Sequence, residues 1–183
     1  MENIFSFVGG DRGPWKIIRI VEVRGPGIEP AGRLNVVNEH VPAAAAGARW
    51  VLRGFTSNLR YATRSELAGL KAVQPELNRP EATRAALIPI KKNAAWWALA
   101  QDERRRIFEE SSRHTAIGLE YLPAVARKLH HSRDLGEPFD FLTWFEFAPE
   151  HEGAFDELLV RLRATEEWTF VELEIDIRLI RAS

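Results

Sequence analysis

The segment Trp168–Arg181 constrains the fold more than any other stretch. Val171, Leu173, Ile175, Ile177 and Leu179 alternate with Glu172, Glu174, Asp176 and Arg178. Successive side chains of a strand point to opposite faces, so period two over this length predicts a long strand with one apolar and one wet face. Half-buried strands of this kind belong to antiparallel sheets, whereas a doubly wound parallel sheet needs strands apolar on both faces. Further strands are read at Trp15–Arg24, Trp50–Phe55, Ala85–Ile90 and Phe139–Phe147. Gly9-Gly10-Asp11, Gly25-Pro26-Gly27, Pro75-Glu76 and Leu135-Gly136-Glu137-Pro138 read as turns.

Helical signals fall between the strands. Thr63-Arg64-Ser65-Glu66 has the form of a capping box, in which the Thr hydroxyl and the Glu carboxylate satisfy orphan amides. Gln101–Ser112 carries Asp102 and Glu103 in its first turn, where the helix dipole favours acids. Pro149 opens a helix whose Phe155, Leu158, Leu159 and Leu162 share one face. His114–His131 reads as a third helical stretch, broken or kinked at Pro123. The pattern predicts an α+β domain, an antiparallel sheet with helices packed on one face, as in ferredoxin-like or dimeric α+β barrel folds.

Composition narrows the chemistry. The 183 residues carry 25 Lys and Arg against 26 Asp and Glu, a net charge of −1 that argues against nucleic acid as the main partner. With no cysteine, zinc-thiolate sites, iron–sulfur clusters, disulfides and cysteine nucleophiles are excluded. Met1 is the only methionine, which leaves no internal Met as a ligand. No leader and no apolar run of membrane-spanning length is read, so the expected location is the cytoplasm, without a membrane partner. The metalloprotease, serine-hydrolase, dinucleotide and P-loop signatures are all absent.

Four features remain as candidates. Of the histidines 40, 114, 130, 131 and 151, none pairs with another at a spacing of four. His114 stands out because it ends a helical run and opens an apolar one, which predicts an imidazole projecting into the core. A buried imidazole needs partners on both nitrogens, and a metal on one side with a carboxylate on the other would supply them. A haem iron in this chain could be held only by His or Tyr, so Tyr61 and Tyr121 stay open as alternatives. Adjacent Trp96 and Trp97 point to different sides of the chain, one suited to a flat cofactor and one to core or an interface. Arg127 sits in apolar company after Pro123, and Glu167 stands at the mouth of the last strand. Taken singly, these read as ordinary core tryptophans, a surface arginine and a solvated acid.

Together they carry a resemblance. The runs Phe7-Val8-Gly9-Gly10-Asp11-Arg12-Gly13-Pro14-Trp15, Gly54-Phe55-Thr56-Ser57-Asn58-Leu59-Arg60-Tyr61, Ile88-Pro89-Ile90-Lys91-Lys92, Arg113-His114-Thr115-Ala116-Ile117-Gly118-Leu119, Tyr121 to Leu135 and Glu166-Glu167-Trp168-Thr169-Phe170-Val171 resemble the chlorite dismutase family, in its short, dimeric branch. The resemblance implies a single haem-binding domain over 1–183, with a shortened N-terminal half over 1–84 and a haem-binding half over 85–183. It implies non-covalent haem b and an enzyme that turns chlorite into chloride and dioxygen through a ferryl haem and a hypochlorite fragment. His114 is then the axial iron ligand, and Glu167 the carboxylate behind it. Lys92 completes that network, and Arg127 is the catalytic arginine over the open face of the iron. Trp96 and Trp97 match a pair serving a propionate and the proximal side or interface, and Asn58 matches a propionate-binding segment. The shortened N-terminal half implies a homodimer, with aromatics such as Trp97 or Trp144 near its contact. The alternatives are a coproheme decarboxylase-like enzyme, a haem carrier or sensor on the same fold, and a cofactor-free α+β dimer.

Overall fold

The computed structural model describes residues 4–56, 64, 65, 68 and 74–182. Eight strands among them form a closed antiparallel barrel: β1 (Ile4–Gly10), β2 (Trp15–Arg24), β3 (Arg33–Val37), β4 (Ala48–Phe55), β5 (Arg84–Lys92), β6 (Val125–His131), β7 (Phe141–Phe147) and β8 (Val171–Arg181). Around the barrel they run β1-β3-β2-β8-β5-β7-β6-β4. Between β5 and β6 lie α1 (Ala94–Ala98), α2 (Gln101–Arg105), a π-helical turn (Arg106–Ser111) and α3 (His114–Glu120). α4 (Glu152–Arg163) and a 3₁₀ turn (Glu166–Phe170) precede β8.

Alternation decides which side chains enter the barrel. Ile175, Ile177 and Leu179 of β8 meet Phe7, Leu34, Leu87, Leu142 and Trp144 inside it, all almost fully buried. β5 is apolar on both faces because both are covered. Ala85 and Leu87 point inward, and Ala86, Ile88 and Ile90 pack outward under Phe155, Leu158, Leu159 and Leu162 of α4. The α+β class, the antiparallel pairing and the helices on one face, here the outer one, are as the sequence predicts. The apolar spacing of α4 also holds.

Several readings are corrected. The sheet closes on itself. The seam is β4 against β6, paired at Phe55 and His131, and the strands approach closely at Gly54. A Cβ there would come within 2.8 Å of the His130 Cβ. Gly9 and Gly10 lie in β1 instead of a turn, because the Trp50 ring lies across Gly9, where a Cβ would stand 2.1 Å from it. His114–His131 is a short helix followed by a strand: the chain turns at Leu122-Pro123, and β6 then pairs with β7 from Val125 to His131. The expected wet face of β8 is buried at Glu174, Asp176 and Arg178, because α4 lies over it and supplies counter-charges. Arg163 bonds both carboxylates, Asp176 also receives Arg178, and Arg178 reaches Asp156. β8 starts at Val171, and Trp168 belongs to the 3₁₀ turn before it. Trp144 lies inside the barrel, 3% exposed, and is therefore no surface aromatic. The capping box at Thr63–Glu66 falls largely outside the described residues.

Replacing Ile177 by Ala removes packing from the centre of the barrel and should cost about 2–5 kcal/mol in denaturant unfolding. Val160, 65% exposed on the outer side of α4, should tolerate Ala within about 0.5 kcal/mol. Equal losses at the two positions would contradict this assignment of core and surface.

Candidate active site

A largely apolar pocket opens between the outer face of β5, β7 and β6 and the layer formed by α3, α4 and the 3₁₀ turn. Ile88, Ile90, Val125, Phe145, Leu158 and Leu162 form much of the wall, with Phe108, Trp96, Trp168, Tyr121 and His131 among the ring-bearing residues. His114, Lys92, Arg127 and Glu167 line the same space.

The backbone before His114 is unusual. A π-helical turn runs to Ser111, and Arg113 adopts a left-handed conformation at φ 52°. A non-glycine residue held there costs of order 1–3 kcal/mol and persists where surrounding structure fixes it. The result is that His114 becomes the first residue of α3. The following amide, Thr115 N–H, is capped by the Glu109 carboxylate at 3.1 Å. The His114 ring lies nearly parallel to Phe108, centroids 4.4 Å apart, and to Trp168 at 6.2 Å.

Glu167 joins two elements at this point. Its Oε2 lies 2.7 Å from His114 Nδ1, and its Oε1 accepts from Lys92 Nζ at 2.8 Å. Its own amide donates to Ser112 Oγ at 2.9 Å. Glu167 and Lys92 are each only 4% exposed. Burial pushes the Glu167 carboxyl up. The charges of His114 and Lys92 and their hydrogen bonds outweigh it and hold the carboxyl at about 2. Burial lowers the Lys92 ammonium below its ordinary value, with Glu167 pulling it back up. The Lys92 nitrogen also sits 4.5 Å over the Trp96 ring. With Nδ1 engaged by the carboxylate, Nε2 is the imidazole nitrogen left to ligate.

Arg127 comes from β6. Among the described residues its guanidinium makes no hydrogen bond or ion pair, and burial draws its pKa below arginine's ordinary value. Its carbonyl accepts from Gln74 Nε2 at 2.6 Å. Trp96 lines the pocket while Trp97 does not. Trp97 stacks on Phe141, lies 3.9 Å under the Arg133 guanidinium and donates to Asp140. That same Asp140 oxygen accepts the Lys92 amide at 2.7 Å. Tyr121 lines the pocket with its hydroxyl accepting from Arg161. Asn58 and Tyr61 lie outside the described residues. The sequence reading missed Glu109, Ser112, Asp140 and the burial of His130 and His131. A polar residue flanking a helix start was the available signal for Ser112; nothing local marked the other four.

Against the outer wall of the closed barrel lies an apolar pocket lined by a histidine backed by a buried carboxylate and by an arginine with no counter-ion among the described residues, an arrangement with room in its chemistry for a ligated group and an anion. The family model described as chlorite dismutase matches residues 39–181, and the chain belongs to the chlorite dismutase family. A chlorite dismutase from Ideonella dechloratans is 36% identical over 118 residues, covering 63% of this chain and 39% of that protein. The crystal structure of dimeric chlorite dismutases from Nitrobacter winogradskyi is 54% identical over 97% of this chain and 99% of that one, with a TM-score of 0.90. A mutant chlorite dismutase from Candidatus Nitrospira defluvii in complex with cyanide, 21% identical over 99% of this chain and 92% of that one with a TM-score of 0.69, shares the fold. Among the described residues no helix is long and apolar enough to cross a membrane, and no cluster of three or more His, Asp or Glu suits a bare metal ion.

Removing one partner from the Glu167 network should expose its cost. Glu167→Ala leaves the Lys92 ammonium buried without its counter-ion and should destabilise the apoprotein by about 3–5 kcal/mol. Adding Lys92→Met should recover much of that loss in denaturant unfolding, and failure to recover any would show that the two residues are not coupled. The pH dependence has a definite sign. A carboxylate depressed to about 2 stabilises the fold above its unfolded value of about 4.3, and that share is lost as pH falls through about 2. Between those values, wild-type stability should fall more steeply than that of Glu167→Gln.

Proposed function

We propose that this chain is a haem b-dependent chlorite dismutase that converts chlorite to chloride and dioxygen. The observation that carries the reading is the Arg127 guanidinium, lining the same apolar pocket as His114 with no counter-ion among the described residues. A cation in such a place is suited to a small anion entering from outside. The residues also fit the prosthetic group. His114 Nε2 would be the axial ligand, Glu167 and Lys92 would fix the ring behind it, and Trp96 and the apolar walls would pack the macrocycle. Asn58 is proposed for a propionate, and Trp97 for support of the proximal side or the subunit contact.

Haem held there would supply a redox-active iron able to take an oxygen atom from chlorite. The reaction needs no outside reductant, since one chlorite contains every atom of one chloride and one dioxygen. Arg127 would bind the anion and retain what is left of it in the pocket. It suits this because arginine stays protonated and its planar fork can hold two oxygens. The apolar walls exclude water and other acceptors while the two oxygens are brought together. Glu167 accepts the His114 Nδ1 proton in a short, charged hydrogen bond, so the imidazole gains anionic character.

The family support for this reading has two sources. The chlorite dismutase family is haem-dependent in general, and the protein from Nitrobacter winogradskyi is dimeric. We extend both properties to this chain as a homodimer without a nucleic-acid or membrane partner, working in the cytoplasm. The order β8-β5-β7-β6, with helices after β5 and after β7, supports a ferredoxin-like C-terminal half over 85–183, with 1–84 as its shortened counterpart.

Haem-loaded protein should evolve one dioxygen per chlorite at an oxygen electrode, and no dioxygen would overturn the reading. His114→Ala should lose most of its haem. Arg127→Ala should keep its haem and still release oxygen, but with a raised KM and fewer turnovers before bleaching. A hypochlorite scavenger should protect that variant more than wild type, and Arg127→Lys should fall between the two. If Arg127→Ala lasts as long as wild type with or without scavenger, Arg127 does not confine the product fragment.

A further inference from the structure

The buried carboxylate of Glu174 has no part in the reaction outlined above, yet it holds the Trp168 indole whose ring lies beside the histidine that does. Glu174 is fully buried on the outward face of β8. Its Oε2 accepts the indole N–H of Trp168 at 2.8 Å. Its Oε1 accepts from Arg163 Nε at 2.8 Å, and Arg163 Nη2 lies 2.7 Å from the same atom. Arg163 retains a second carboxylate partner in Asp176 at 3.3 Å. The indole so anchored is in contact with the proximal network. Its ring runs nearly parallel to the His114 imidazole, 20° apart in plane, and lies 5.6 Å beneath the Lys92 ammonium.

Trp168 therefore lies beside both groups that Glu167 bonds, and it follows Glu167 directly in a five-residue 3₁₀ turn. A turn of that length has few internal hydrogen bonds to fix it. The Glu167 backbone is held at one end by Ser112. At the other, Arg24 donates to the Trp168 and Val171 carbonyls and the Asn93 amide to the Phe170 carbonyl, which fixes the backbone, while the Trp168 side chain is held by Glu174. We infer that Glu174 is a remote positioning residue for the proximal histidine: by clamping the Trp168 indole it fixes the plane of His114 and the reach of Glu167. A tether to a rigid central strand suits this better than a surface contact, because β8 is paired with both β2 and β5 along its length. The inference rests on His114 being the axial ligand, so its test includes a reading that needs no haem.

That reading is the hydrogen-bonded Nδ1 proton of His114, followed in the 15N-histidine-labelled apoprotein at one fixed pH. The variants are Glu174→Ala, which removes the acceptor, Glu174→Gln, which keeps one, and Trp168→Phe, which keeps a ring but loses the donor. Glu174→Ala and Trp168→Phe should broaden or erase the proton signal, and Glu174→Gln should largely retain it. In haem-loaded protein, the first two should raise the rate of haem transfer to an apomyoglobin acceptor by about tenfold, the low end of what losing an outer partner of a ligand costs. Both should also shift the ferric/ferrous potential, and Glu174→Ala should add nothing further in a Trp168→Phe background. A lower melting temperature with an unchanged Nδ1 proton, potential and haem-transfer rate would overturn the inference. If wild type fails to take up haem while the Nδ1 signal still responds, the ligand assignment fails and the positioning role stands.

Discussion

The carboxylate of Glu167 is shared between two donors from different parts of the chain, His114 at the start of α3 and Lys92 at the end of β5. In water such a contact is worth little, because each partner is well solvated and the charges are screened. Inside the protein an unpaired charge is costly, so once one of the three is buried the others must follow. The consequence reaches beyond the three residues. Lys92 must end its strand with its ammonium over the Trp96 and Trp168 rings, α3 must start at His114, and the 3₁₀ turn must bring Glu167 between them. The left-handed Arg113 and the π-helical turn are the backbone distortions that let the chain meet this requirement.

The same principle explains the outer face of β8. Glu174, Asp176 and Arg178 alternate with the barrel-facing residues as water-exposed side chains would, but each is buried under α4 with charged partners. Buried ion pairs are weak evidence of stability, since well-packed apolar residues often do as well. Their use here is directional. An apolar residue at position 174 could fill the space, but it could not accept the Trp168 N–H.

What the sequence discloses follows from how local each signal is. β8 was legible because its period-two pattern is carried by eleven consecutive residues that need no partner to be recognised. α4 was legible from its single apolar stripe. β6 was hidden because Val125–His131 follows a short helix and mixes apolar with basic residues, so its strand character depends on pairing with β7. A barrel was among the folds expected, but the pair that closes it, Phe55 with His131 beside Gly54, was hidden for the same reason. At the site, His114, Lys92, Glu167 and Arg127 could be nominated from the motifs around them, and the structure brings all four to one pocket. Asp140 and Glu174 could not, because an isolated acid in a strand or turn looks solvated until the element covering it is known.

The central claim is that Glu167 acts through His114 on whatever iron the imidazole holds. The most direct measurement is the ferric/ferrous potential of haem-loaded wild type and Glu167→Gln, taken by spectroelectrochemistry at one pH. An amide accepts a weaker hydrogen bond than a carboxylate, so the imidazole becomes less anionic and ferric iron is less favoured. The account predicts a higher potential in the variant, with haem still bound on His114. An unchanged or lower potential, with haem still five-coordinate on that histidine, would contradict it.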